Sequence, residues 1–299
     1  MAAIAVAGLR KSYGSVEAVK GIGFEVVAGE VFALLGPNGA GKTTTVEILE
    51  GHLKRDAGTV SVLGIDPERG GSPFRDRIGI VLQECGIEEL LTVREVLERQ
   101  AGYYTRPRPV QDVTDLVGLT EKADARVRAL SGGQRRRLDL GLALVGDPDL
   151  LFLDEPTTGF DPAARRNAWD LIKRLCGLGK TVLLTTHYME EAQYLADRVA
   201  IIVGGRLVAE GTPDSLGGRD AGAAQIRFVL PEGLPLSALP VKGRQDGGRV
   251  LVEAVDLTRT LHLLTGWALE RGLELEGLTV ARQSLEDVYL DLVTPEGDP

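Results

Sequence analysis

The octapeptide Gly36-Pro37-Asn38-Gly39-Ala40-Gly41-Lys42-Thr43 constrains this chain more than any other feature. It fits the pattern G-x-x-x-x-G-K-[ST] and stands between an apolar run, residues 31–35, and a helix-like segment, residues 44–49, opened by Thr44. Strand, glycine loop and helix in that order make a cradle for phosphate. The glycines let backbone N–H groups converge on phosphate oxygens without a Cβ in the way, and the helix N-terminus adds a favourable dipole. Lys42 is predicted to reach the β- and γ-phosphates of a nucleotide, and the Thr43 hydroxyl to ligate Mg2+.

Further short Val/Leu/Ile-rich runs occur at residues 78–82, 150–153, 182–186 and 200–203. Unbroken apolar runs of this length suit strands buried on both faces, as in a parallel sheet covered by helices. Residues 4–9, 24–27 and 59–62 read instead as antiparallel strands at the sheet margin. In open α/β sheets ligands bind beyond the carboxyl ends of the strands. Gly36, Gln83, Asp154 and His187 each fall there. Asp154 is predicted to hold Mg2+ through water, Glu155 to polarise an attacking water, and Gln83 and His187 to sense the γ-phosphate.

Residues 84–146 turn helical and form an insert between two core strands, with helices at 88–104, 110–117 and 132–145. The last follows Leu130-Ser131-Gly132-Gly133-Gln134. Ser131 is an N-cap and Gln134 completes a capping box. The N–H groups at Gly132 and Gly133 make a second anion site, and one bound nucleotide has no need of two. The second site is therefore expected to complete the nucleotide site of another subunit. The run Arg135-Arg136-Arg137 reads as a solvated face.

Net charge is −9 over 299 residues, which argues against a nucleic-acid surface. Two cysteines and three histidines, without metal-ligand spacing, argue against a thiolate or imidazole metal site. The first residues do not place basic groups ahead of an apolar run as a secretory leader would. No apolar stretch approaches the roughly 20 residues that span a bilayer. Glycines near residues 216–224 mark a boundary, giving domains 1–218 and 219–299. The second reads as a small α+β domain: strands 225–230 and 249–255, helix 257–271 capped by Asp256, strand 273–281, and helix 285–292 started by Ser284. Its one histidine, His262, reads as packed.

The order and spacing of the phosphate loop, Gln83, LSGGQ, LLFLDEP and His187 resemble the nucleotide-binding domain of ABC transporters, over about the first 215 residues. The resemblance implies a P-loop NTPase fold with a helical insert, and an ATPase using ATP and Mg2+. It makes Glu155 the catalytic base and His187 the switch histidine. Tyr13 becomes the adenine-stacking aromatic and Asp161 the acid that crosses a dimer interface. Phe160 departs from the family's usual Leu. LSGGQRRRLDL, DEPTTGFDP and the terminal Leu285-Glu286-Asp287-Val288-Tyr289 are similar to the drug-resistance branch of ABC-2-type exporters. That implies a homodimer on the cytoplasmic face of the cell membrane, powering a separate permease that exports drugs or other hydrophobic compounds. A soluble ribosome or DNA factor would fuse two nucleotide domains or insert a long coiled coil. An importer subunit would carry a larger C-terminal domain or none.

Overall fold

The computed structural model describes residues 2–81, 86–216, 224–231, 233–281 and 285–293. The chain divides into two compact units, Met1–Thr212 and Pro213–Pro299. The first runs β1 (Ala2–Tyr13), β2 (Val16–Val27), β3 (Val31–Leu35), α1 (Lys42–Leu49), β4 (Ala57–Val62), α2 (Gly71–Arg75), β5 (Ile78–Val81), α3 (Val93–Ala101), α4 (Val110–Leu116), α5 (Gly132–Leu144), β6 (Leu150–Asp154), α6 (Pro162–Gly177), β7 (Thr181–Thr186), α7 (Met189–Leu195), β8 (Arg198–Val203) and β9 (Arg206–Gly211).

The main sheet has the order β5-β6-β7-β3-β8-β9. Its first five strands pair in parallel, and β9 adds an antiparallel edge that the apolar runs did not reveal. Every residue of β3 and β7 is buried, as the unbroken runs predicted. The register sets Leu35 beside Thr186 and Asp154 beside Thr185. The residues that follow these strands therefore emerge side by side at one edge.

The early strands do not lie at the margin of this sheet. They form a separate antiparallel sheet of order β2-β1-β4. The reason is their alternating burial. Ile4, Val6, Ile22, Phe24 and Val26 point inward and join one core with Phe32, Leu34, Phe152 and Leu183 of the main sheet. Phe24 stacks on Phe32 with ring centroids 5.3 Å apart. Two sheets thus face each other, with Val46, Ile48 and Leu49 of α1 in the same core.

The insert between β5 and β6 holds α3, α4 and α5. Its first helix starts at Val93, not at Glu88. The carbonyls of Glu89 and Leu91 accept from Arg128 and Val127 at 3.1 and 2.9 Å, so a turn at residues 89–90 replaces the helix there. Thr92 then caps α3 in a reciprocal box with Glu95.

The second unit contains α8 (Pro213–Leu216), β10 (Ala224–Phe228), β11 (Arg244–Asp246), β12 (Arg249–Ala254), α9 (Leu257–Glu270), β13 (Thr279–Ala281) and α10 (Leu285–Val293). Its antiparallel sheet has the order β11-β12-β10-β13. Ile226, Phe228, Val250 and Val252 pack with Leu264 of α9, and Asp256 caps that helix through Arg259 N–H at 3.0 Å. Only residues 279–281 of the predicted strand 273–281 are strand. A turn precedes them, with Leu278 N donating to Leu275 O at 3.2 Å and Gly277 at φ +64°. His262 is exposed rather than packed. Ser284 lies outside the described residues.

Candidate functional site

The glycine loop follows β3 and turns into α1, whose first turn already contains Lys42 and Thr43. Two glycines are obligatory for steric reasons. A Cβ on Gly36 would stand 2.3 Å from the Ile202 carbonyl oxygen, and one on Gly41, at φ +102°, 2.4 Å from that of Ala18. The first N–H groups of a helix have no intrahelical acceptor, and among the described residues no side chain at the N-cap serves those of α1 instead. They open on a cleft lined by Asn38, Gly39, Gly41, Lys42, Thr43, Thr44, Asp154, Glu155 and His187, together with Ala18 of β2. The cleft holds ≈ 650 Å³, within the roughly 300–1,000 Å³ of ligand pockets.

Lys42 is buried, and its ammonium donates to the carbonyls of Gly36 at 2.7 Å and Pro37 at 3.1 Å. Burial pushes its pKa below the usual lysine range, against the opposing pull of the Glu155 and Asp154 carboxylates. Ala40 is buried and ties the loop to the neighbouring turn, its carbonyl accepting from Gly205 N at 3.1 Å. A polyphosphate fits this donor set: an uncapped helix start, a buried ammonium, and glycine backbone. A divalent cation beside it fits the Thr43 hydroxyl and the Asp154 carboxylate, both oxygen donors on the cleft wall.

The acids are placed by β6 and β7. The Thr185 hydroxyl donates to Asp154 Oδ1. Glu155 leaves the strand at φ +46°, in the left-handed region, held there by its N–H to Thr185 O at 3.1 Å. This turn aims its carboxylate at His187, whose Nδ1 lies 3.1 Å from Glu155 Oε1. The Thr158 hydroxyl donates to the other oxygen at 3.1 Å. The structure thus brings Gly36, Asp154, Glu155 and His187 together, as the strand ends predicted; Gln83 lies outside the described residues. Thr185 and Thr158 were missed. Thr185 becomes legible once β6 and β7 are known to be neighbours.

Ser131 caps α5, accepting from Gln134 N at 3.3 Å, while Ser131 N donates to Gln134 Oε1 at 3.0 Å. Ser131, Gly132 and Gly133 line a second cavity with Arg136, Glu155 and Asp161. The phosphate loop is absent from its walls, and Glu155 lines both cavities. Asp161 caps α6 through Ala163 and Ala164 N–H at 2.9 and 2.8 Å. Tyr13 ends β1, is 49% exposed and is not among the cleft's lining residues.

The run 135–137 is a solvated face only at Arg135 and Arg137. Arg135 pairs with Glu89 at 2.9 Å, and Arg137 donates to the Gly118 carbonyl at 3.1 Å. Arg136 turns inward and reaches the carbonyls of Asp154, Glu155 and Pro156 at 3.2–3.3 Å. Three arginines in sequence point in different directions around a helix, and only the packing decides which of them is buried.

Comparison with known proteins places this arrangement in a family. The ABC transporter family model matches residues 19–158. A second model, the C-terminal domain of ABC transporter domain-containing protein-like chains, matches residues 224–284. The daunorubicin resistance ATP-binding protein DrrA3 of Streptomyces coeruleorubidus is 40% identical over 303 residues, 97% of this chain and 95% of that protein. The Nod factor export ATP-binding protein I of Ralstonia nicotianae is 44% identical over 306 residues, 98% and 94% of the two chains. Among solved structures, the dimeric post-hydrolysis ATP-binding cassette MJ0796 bound to ADP and Pi matches with a TM-score of 0.62 and 25% identity, covering 70% of this chain and 98% of that one.

Proposed function

The chain belongs to the ATP-binding, ATP-hydrolysing subunits of ABC transporters, and on that premise we propose that two copies close around ATP beneath a separate permease of the ABC-2 export kind. The observation that supports this reading is the separation of the two cavities. The phosphate loop lines one and the Ser131–Gly133 segment the other. A nucleotide seated on the loop of one copy is then covered by Ser131, Gly132, Gly133 and Gln134 of a second copy, with Asp161 at the joint.

Within the cleft, backbone N–H groups of residues 38–44 hold the phosphates and Lys42 neutralises the β- and γ-oxygens. Thr43 and, through water, Asp154 would hold Mg2+, with Gln83 as the third expected ligand, and the ion would supply charge neutralisation at the phosphates. Glu155 accepts a proton from the attacking water; the water oxygen bonds to the γ-phosphorus, the bridging P–O bond breaks and ADP leaves with that oxygen. His187 holds Glu155 and the γ-phosphate in one geometry. Tyr13, exposed and paired with Val16 of β2, stacks on adenine, a contact worth about 1–3 kcal/mol.

ATP binding favours the closed pair and hydrolysis the open one, which is population shift by a ligand with different affinity for two states. The insert carries the permease contact. It presents the exposed Leu90 before α3 and Tyr103, 73% exposed, after it, with Glu88 and the half-buried Tyr104 next to them in sequence. Drug resistance and Nod factor export are named for the two relatives, whose alignments cover 97% and 98% of this chain. We therefore assign the chain to export from the cytoplasmic face of the cell membrane.

Glu155→Gln tests the sandwich. The amide keeps the shape and cannot take the proton, so this variant forms an ATP-dependent dimer that dissociates when ATP is removed. A monomer at saturating ATP, measured by light scattering on a size-exclusion column, contradicts the reading.

A further inference from the structure

Behind the pair formed by Glu155 and His187 lies a buried carboxylate that no step above uses. Glu191 stands on α7, four residues after His187, and is 0% exposed. Its Oε1 accepts from the Thr157 hydroxyl at 2.7 Å and from the Trp169 indole N–H at 2.9 Å. Among the described residues its Oε2 has no hydrogen-bond partner. Thr157 is also fully buried and stands two residues after Glu155. Trp169 belongs to α6.

A carboxylate buried this deeply is poor material for stability. Burying an ionisable group costs several kcal/mol in general, and an oxygen left without a donor adds to that; apolar replacements of similar volume are often neutral or stabilising. What the group does supply is a directional link between segments that the sheet leaves apart. Register fixes Asp154 beside Thr185, but Glu155 and His187 lie beyond the last paired residues of two strands. The Thr157–Glu191–Trp169 bonds span that gap. The same face of α6 grips the α7 start a second time: Arg165, one turn before Trp169, sits 4.4 Å from the Tyr188 ring centroid. That ring lies 4.1 Å from the His187 ring.

We propose that Glu191 is a positioning residue for hydrolysis. It ties the segment after Glu155 to the helix after His187, so that the base and the histidine keep their 3.1 Å contact while the loops around them move. Catalysis at fixed binding depends on such alignment, and a misplacement of about 1 Å can cost about a hundredfold. The inference rests on Glu155 as the base.

The test measures phosphate release and melting temperature of the full-length chain. Glu191→Met keeps the volume and removes the acceptor; Thr157→Val removes one donor; Glu191→Gln keeps an oxygen for both donors. The expected result is a kcat lowered by about tenfold or more in Glu191→Met and Thr157→Val. KM for ATP stays within about twofold in both, their melting temperatures hold, and Glu191→Gln retains kcat. Unchanged kcat in Glu191→Met and Thr157→Val overturns the proposal. So does a parallel loss of kcat and melting temperature in all three variants, which makes the cluster plain packing. Glu155→Gln run alongside reports on the base itself: a fast Glu155→Gln defeats the base assignment, whereas a slow Glu155→Gln beside a fast Glu191→Met defeats only the joint.

Discussion

Arg136 donates a hydrogen bond to the main-chain carbonyl of Glu155 at 3.3 Å. Its guanidinium also reaches the carbonyls on either side, so the helix begun by Ser131 holds the strand end that carries the acids. A lysine ammonium gathers its three donors on one nitrogen and lacks the planar spread with which the guanidinium reaches three successive carbonyls. Arg136→Lys should therefore lower kcat by about tenfold, a loss equivalent to one charge-assisted hydrogen bond. Phosphate release at saturating ATP checks this; wild-type turnover would show that the carbonyls need no such clamp.

Lys42→Ala should abolish nucleotide binding. The ammonium is the cation the loop encloses, and without ligand it braces the Gly36 and Pro37 carbonyls. We expect affinity for ATP to fall by at least about a hundredfold. Calorimetric titration with Mg·ATP reads it directly, and a loss under threefold would contradict the phosphate-loop assignment.

Glu50 makes stability depend on pH. It ends α1 at 5% exposure, with His52 Nδ1 3.3 Å from Oε2. Burial, then the charges of Asp154 and Glu47, push its pKa from 4.5 up to about 8. The folded chain keeps a proton that the unfolded chain releases, so this contribution is complete below pH 4.5 and is lost as pH rises through about 8. Glu50→Gln cannot ionise. Its advantage over wild type should be small at pH 5, grow toward pH 8 to the order of a few kcal/mol, and then level off. Denaturant titrations at pH 5, 6.5 and 8.5 test this, with His52→Ala as a control for the neighbouring imidazole. An advantage that does not change with pH refutes it.

Deleting residues 220–299 should leave ATP binding intact, because every proposed nucleotide contact lies within Met1–Thr212. The second unit has its own apolar core, and the described lining residues of the cleft, 18–187, all belong to the first. A folded, monodisperse truncation that fails to bind ATP would place a binding determinant beyond residue 219.

The sequence made the phosphate loop legible because its glycines answer a local steric demand, and Asp154 and His187 because parallel strands end together. Arg136 was not legible. Its neighbours are chemically identical, and only the path of the 154–156 carbonyls distinguishes it. The separate antiparallel sheet was hidden for a related reason: alternation reports a half-buried strand, not the sheet that it joins. Residues 88–92 carry helical spacing, yet the carbonyls of Glu89 and Leu91 bond residues 127–128, a distant pairing that no window over the segment contains. Thr92 and Glu95 did spell the true helix start, and a capping-box search would have found it.

The left-handed turn at Glu155 sets stability against activity at one position. For a residue with a Cβ, that conformation costs about 1–2 kcal/mol, and glycine or asparagine adopts it more easily. The carboxylate that the proposed chemistry requires thus stands where the backbone would rather have glycine. Laboratory evolution for heat resistance alone should enrich Gly or Asn at 155 and yield sturdier, inert proteins, so such a screen needs ATP turnover as a second filter.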